Sequence, residues 1–315
     1  MRYRSKSYVP ALLLLVAVLS WSGCLFRSHK VAKRTTVTNV KSATLEDLVG
    51  IINRQAAGIK TLNATVDIDT SVGGAKKGKV TEYREIRGYI LMRKPERLRM
   101  IGLFPVVRNR AFDMVSDAEG FKLYIAPTNK FVVGPPTVTK PSKNALENLR
   151  PIVIYNALLQ QPIDPQNAIA VLEHTNETLV DSRTKDEVAF PTYTVDIIRK
   201  NDHGWHLSRK VVFSRIDLLI QHQLIYDDTG NLVTDVKYED YKEHDGMEFP
   251  NSITIVRPQE EYTIGLSAVK LTLNGPIKDE QFELAQPPGS LLVRLGSNNG
   301  NKPENASLGG GTEKK

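Results

Sequence analysis

Nucleophilic, metal-binding and phosphate-binding chemistry each have a candidate in this chain of 315 residues. The thiol is Cys24, the single cysteine, which stands directly after Ser22-Gly23. Without a second cysteine, no intramolecular disulfide and no thiolate zinc site can form. His203 and His206 have a spacing that can hold a metal, but Gly204 between them marks a hairpin turn and no third ligand is apparent. Gly73 to Lys79 matches most of a phosphate-binding loop, in which backbone amides cradle the phosphates. Val80 replaces the required Ser or Thr and a strand pattern follows, so this segment reads as a lysine-rich turn. Asp227-Asp228 before Thr229-Gly230 is turn chemistry and lacks the spaced carboxylates of a calcium loop. No Gly-x-Ser-x-Gly elbow occurs, and the acidic residues are scattered over presumed outer faces. The expectation is a protein with no catalytic residue, metal or cofactor, and not an enzyme.

Cys24 gains meaning from what precedes it. Arg2, Arg4 and Lys6 are followed by the apolar run Ala11 to Leu19 and then by small residues, which is the pattern of a secretory signal peptide. The run is about half the twenty or so apolar residues that a bilayer core requires. The segment resembles bacterial lipoprotein signal peptides, in which the cysteine receives a diacylglyceryl group and becomes the first mature residue. Ser22-Gly23 suits that cleavage; Trp21 departs from the usual Leu or Val. Leu25 follows in place of Asp, which under the enterobacterial sorting rule implies the outer membrane.

Charge along the chain is uneven. The formal net charge is +7. Removing the three cations before Cys24 leaves +4, and setting aside Arg27 to Lys41 and the tail from Gly296 leaves about −2 for residues 42 to 295. The excess basic charge lies on a tether, not on the folded part. A nucleic-acid binder concentrates Lys and Arg on its folded surface, so that class is disfavoured. A basic tether suits anionic lipid headgroups.

The organisation read from the pattern is a signal peptide over 1–23, a lipidated flexible tether over 24–43, one domain over 44–295 and a disordered tail over 296–315. Thr44 and Asp47 form a capping-box pattern, with Leu45, Leu48, Val49, Ile52 and Ile59 on one helical face. The period then changes to two. Leu62 to Asp69 and Val80 to Met92 make a long hairpin, and strands follow over 98–101, 111–116, 121–125 and 130–133. Residues 142–160 return to helical spacing, as two short helices or one kinked at Pro151. From Asn167 the β pattern resumes through 192–199, 205–214, 218–226, 232–241, 253–256 and 262–273. Gly204, Gly230 and Gly246 fall in turns where positive φ is tolerated. The fold class is mainly β (α+β): one strongly curved antiparallel sheet forming an unclosed β-barrel, covered by a few helices.

This order of elements, with Gly88 to Arg99 (GYILMRKPERLR), Tyr226 to Asn231, Phe249-Pro250, and Leu271 to Asn274 followed by Phe282, resembles the LolA/LolB superfamily of periplasmic lipoprotein carrier and outer-membrane receptor. The resemblance covers most of residues 44–285. It implies an apolar cavity that takes up acyl chains, lined here by Ile90, Met92, Leu98, Met100, Phe112, Met114, Phe121 and Leu123. Methionine adapts to a flexible chain; equally, these residues can simply fill a closed core. It also implies an exposed apolar loop at Leu103, Phe104, Pro105 and Val106, unless Leu-Phe-Pro is a strand end tucked under the lid. One acyl chain of fourteen methylenes carries on the order of 11 kcal/mol of transfer free energy, so it needs shielding from water. The expected partners are an acylated lipoprotein or lipid, the membrane through the lipid anchor, and a periplasmic carrier protein. The chain is expected to be a monomer at the outer membrane, facing the periplasm. The alternative is a periplasmic envelope sensor or scaffold that uses the same fold to bind a protein partner.

Overall fold

A computed structural model describes residues 34–36, 39–74, 78–135, 151–180, 187–202 and 204–295. Cys24, the signal segment, most of the tether, residues 142–150, His203 and the tail from 296 lie outside the described residues. The chain divides into two compact units. The smaller takes in residues 1–38 and 177–190, where strand β1 (Arg34–Thr36) pairs in parallel with Glu187–Ala189. The larger, residues 39–176 and 191–315, carries the features below.

Helix α1 (Leu45–Gly58) starts where the sequence places it. Thr44 Oγ1 accepts from the Asp47 amide at 3.2 Å, and Asp47 Oδ2 accepts from the Thr44 amide at 2.9 Å. This reciprocal cap satisfies amides that a helix start leaves free. Leu48, Ile52 and Ala56 are buried at helical spacing. Lys94 Nζ donates to Ala56 O in the last turn, where a cation meets the negative end of the helix. Burial lowers the pKa of Lys94.

The strands, in chain order after β1, are β2 (Thr61–Gly74), β3 (Lys79–Arg93), β4 (Arg97–Leu103), β5 (Arg110–Ser116), β6 (Phe121–Ile125), β7 (Lys130–Gly134), β8 (Ala168–Val180), β9 (Glu187–Asn201), β10 (Gly204–Ser214), β11 (Ile220–Tyr226), β12 (Leu232–His244), β13 (Met247–Arg257), β14 (Tyr262–Leu273) and β15 (Leu291–Arg294). From β9 the sheet runs β10-β11-β12-β13-β14-β2-β3-β4-β5-β6-β7-β15, with β8 also paired to β9. Among the described residues its two ends do not pair with each other, so the sheet is unclosed.

Its curvature follows from one short helix. Helix α2 (Pro151–Leu158) is about 12 Å long. Around it, Gln223 Nε2 on β11 reaches Asn156 O, the Tyr238 hydroxyl on β12 reaches Ala157 O, and the Glu96 amide between β3 and β4 donates to Tyr155 Oη. Strands β11 and β4 are six steps apart in the sheet, roughly 29 Å if it were flat. Only a curled sheet brings both to α2. One core cluster accordingly joins Leu48 and Ile52 of α1, Ile154 and Leu158 of α2, and strand residues from Val195 on β9 to Val132 on β7.

Two glycines permit this curl. Gly88 and Gly102 face each other across β3 and β4 on the inner face. A Cβ on Gly88 would stand 2.4 Å from Ile68 Cδ1, and one on Gly102 would stand 2.2 Å from the Phe112 ring. Neighbouring side chains thus fill the space the glycines leave empty.

Several elements differ from the sequence expectation. Of the helical stretch expected over 142–160, residues 151–158 form α2, and residues 142–150 lie outside the described residues. Strand β13 starts at Met247, earlier than expected, and includes Pro250, which pairs with Tyr241 next to Asp240, a residue at φ +53°. Strand β15 was not expected; it pairs in parallel with β7, so the sheet is not wholly antiparallel.

Candidate functional site

The eight residues expected to line a cavity stand on four consecutive strands. Register aligns Ile90 with Met100, Met100 with Met114, and Met114 with Leu123, while Met92 aligns with Leu98. Phe112 and Phe121 flank these rows on β5 and β6. All eight are buried in the core cluster shared with α1 and α2. The structure brings them together on one concave, apolar, methionine-containing face closed by two helices. Clefts of about 590 Å³ and about 440 Å³ lie elsewhere and are polar: the first is lined by outward Ser252, Thr254, Thr263 and Ser267, the second by Asp217, Glu239, Asp240 and Glu248.

The loop between β4 and β5 takes the apolar residues out of this core. Leu103 is half-buried at the strand end, whereas Phe104, Pro105, Val106 and Val107 are exposed, with Val106 98 % exposed. Hydrogen bonds from Phe104 N to Asn109 O at 2.8 Å and from Arg108 N to Phe104 O at 3.1 Å hold the loop as a compact turn. Arg108 turns it at φ +52°. Arg110 follows and pairs with Asp113 at 3.0 Å. Asp113 itself is fully buried and also receives a bidentate pair from Arg99 at 2.8 and 3.0 Å. The tip therefore stands on a tightly tied base.

The sequence reasoning missed a third component, a polar face against the C-terminal end of α2. Besides Gln223 and Tyr238, Arg209 on β10 donates to Gln161 O at 3.0 Å, and Gln160 Nε2 donates to Tyr238 Oη at 3.1 Å. All four side chains are buried, Arg209 to 6 % exposure. Burial pushes the Arg209 pKa down to about 10, with repulsion from Arg199 adding to it, and burial raises the Tyr238 phenol. The signal was present: in the strand over 205–214, Arg209 shares the inward set with Val211 and Phe213.

Of the other sequence candidates, His203 and residues 75–77 of the Gly73–Lys79 segment lie outside the described residues, whereas the Asp227-Asp228 turn is described. Asp227 Oδ1 accepts from the amides of Thr229 and Asn231 at 3.0 and 2.9 Å, closing a turn around Gly230 at φ +83°. Desolvation opposes ionisation of Asp227, but the hydrogen bonds from Asn231 and Thr229 outweigh it and bring its pKa to about 2. His206 lies 3.5 Å from Asp228. Among the described residues, no group of three His, Cys, Asp or Glu side chains is placed to hold a metal ion, and no helix is long and apolar enough to cross a membrane.

No protein-family model and no curated protein matches the chain. Solved structures similar to it include a DUF1329 family protein from Desulfovibrio piger, at 14% identity over 76% of this chain and 95% of that one, with a TM-score of 0.46. A LolA superfamily protein from Nitrosomonas europaea is similar at 11% identity over 77% and 99%, TM-score 0.48. An outer membrane lipoprotein-sorting protein domain from Vibrio parahaemolyticus is similar at 12% identity over 76% and 97%, TM-score 0.45. At these values the likeness assigns neither a ligand nor a residue's role.

Proposed function

We propose that the larger unit binds acyl chains on its concave face and exchanges them with a membrane through the Phe104–Val107 tip. The observation that carries this reading is the joint placement of two apolar features: a methionine-containing inner face beneath two helices, and an exposed apolar loop leaving that same sheet between β4 and β5. Flexible side chains such as Met92, Met100 and Met114 can re-pack around a guest of variable length. An exposed Val-Val tip beside Arg108 and Arg110 has the character of an interfacial anchor, apolar at the point and basic at the shoulder. In this reading Cys24 carries the lipid that fixes the protein to the outer membrane, the cargo is an acylated lipoprotein or lipid, and binding breaks no covalent bond.

The test is uptake of a fluorescent diacyl lipid from anionic vesicles by the full chain carrying Cys24→Ser, which removes the anchor as a confounding source of membrane affinity. The expected result is stoichiometric uptake, with V106D/V107D slowing the rate about tenfold or more while leaving the capacity intact, as expected when two exposed valines no longer enter the interface. Absence of uptake, or unaltered kinetics in the double variant, contradicts the proposal.

A further inference from the structure

The polar face against α2 is not fully explained as a helix cap. Capping occupies Gln223 Nε2, the Tyr238 hydroxyl proton and one Arg209 N–H. Left over are Gln160 Oε1 and Gln223 Oε1, buried acceptors with no donor among the described residues. Arg209 is likewise left with no carboxylate partner among them; its single hydrogen bond there is to Gln161 O. Flipping either amide moves the orphan from oxygen to nitrogen without removing it. Buried groups of this kind ordinarily meet a complement.

These groups are neighbours. Val211 pairs with Gln223, and Gln223 with Val236. Arg209 and Tyr238, two residues along from those partners, are therefore the diagonal neighbours of Gln223 on the inner face, about 7–8 Å away in each direction. Gln160 joins through Tyr238. A cation lacking an anion thus lies beside two carbonyl oxygens lacking N–H donors, on the same face as the apolar lining.

We infer that this cluster is a lipid headgroup site that takes phosphoethanolamine, the phosphate on Arg209 and the ammonium on Gln160 Oε1 and Gln223 Oε1. The inference rests on the acyl-binding reading and names its substrate class: a zwitterionic phospholipid whose chains occupy the apolar face. A choline headgroup has no N–H donors and leaves both amide oxygens unmet. A glycerol headgroup lacks the ammonium, and diacylglycerol leaves Arg209 without an anion.

The experiment uses the full chain, incubated with vesicles holding equal parts of phosphatidylethanolamine, phosphatidylcholine, phosphatidylglycerol and diacylglycerol of the same chains. The protein is re-isolated and its bound lipid quantified by mass spectrometry. Phosphatidylethanolamine is expected to be enriched about tenfold over each of the others, the effect of one charge-assisted hydrogen bond. Arg209→Met removes the preference over diacylglycerol and Gln223→Leu the preference over phosphatidylcholine. If either variant fails to fold, the ratios of the unaltered protein decide alone. Equal uptake of all four lipids, or of phosphatidylglycerol and phosphatidylethanolamine alike, overturns the headgroup site while leaving acyl binding intact; no uptake of any lipid overturns acyl binding itself. Soluble glycerophosphoethanolamine is expected not to displace the lipid, and displacement at equimolar concentration would overturn the lipid as its ligand.

Discussion

Gly102 and Phe112 stand opposite each other on β4 and β5, and the ring occupies the volume a side chain at 102 would need. Gly102→Val is expected to destabilise the protein by about 1–3 kcal/mol through overpacking. Phe112→Leu in the same chain should return part of that loss, because the two substitutions share one volume. Denaturant unfolding of the single and double variants measures this, and strictly additive effects contradict it. The eight inner residues from Ile90 to Leu123 were legible because strand alternation marks them directly. What alternation cannot show is whether such a face is filled or open, because that depends on where α1 and α2 settle. Arg209 was legible by position but not by role: its partners Gln161 O, Gln223 and Tyr238 come together only through curvature.

The element least visible in the sequence is the segment after β14. Asn274 Oδ1 accepts from the Lys60 amide at 2.7 Å, tying the end of β14 to the junction of α1 and β2. The chain then crosses the outer face of the sheet. Arg93 donates to Ile277 O at 3.0 Å and its guanidinium lies over the Phe282 ring, Arg97 pairs with Asp279 at 3.1 Å, and Arg99 donates to Gln281 O at 2.9 Å. Leu284 covers Val115 and Phe131 in a second, smaller core, and β15 finally pairs with β7. No period announces a strap of this kind, since it is held by cross-chain arginines and carbonyls. Truncation after Asn274 is expected to cost about 3 kcal/mol or more, given the apolar side chains it uncovers. Hydrogen exchange should accelerate in β5, β6 and β7 and much less in β12 and β13. Uniform acceleration across the sheet would show that the strap supports the whole fold rather than one edge.

For the molecule as a whole, the charge distribution and the fold agree in purpose. Residues 42–295 are close to neutral, and the basic excess sits in the flanking segments. Fold class, element order and most strand bounds followed from period and turn residues. The parallel pairings of β1 and β15 did not, because they depend on long-range register. In the proposed function, acyl chains occupy the inner face of the curved sheet. This is tested most directly by photo-crosslinking the full chain to a phospholipid with a diazirine at the chain terminus and mapping the adducts by mass spectrometry. Adducts are expected at inner-face residues such as Met92, Met100, Met114 and Leu123, lost when an unlabelled lipid competes. Adducts confined to the exposed tip at Val106 and Val107, or to outward residues such as Thr254 and Ser267, would contradict it.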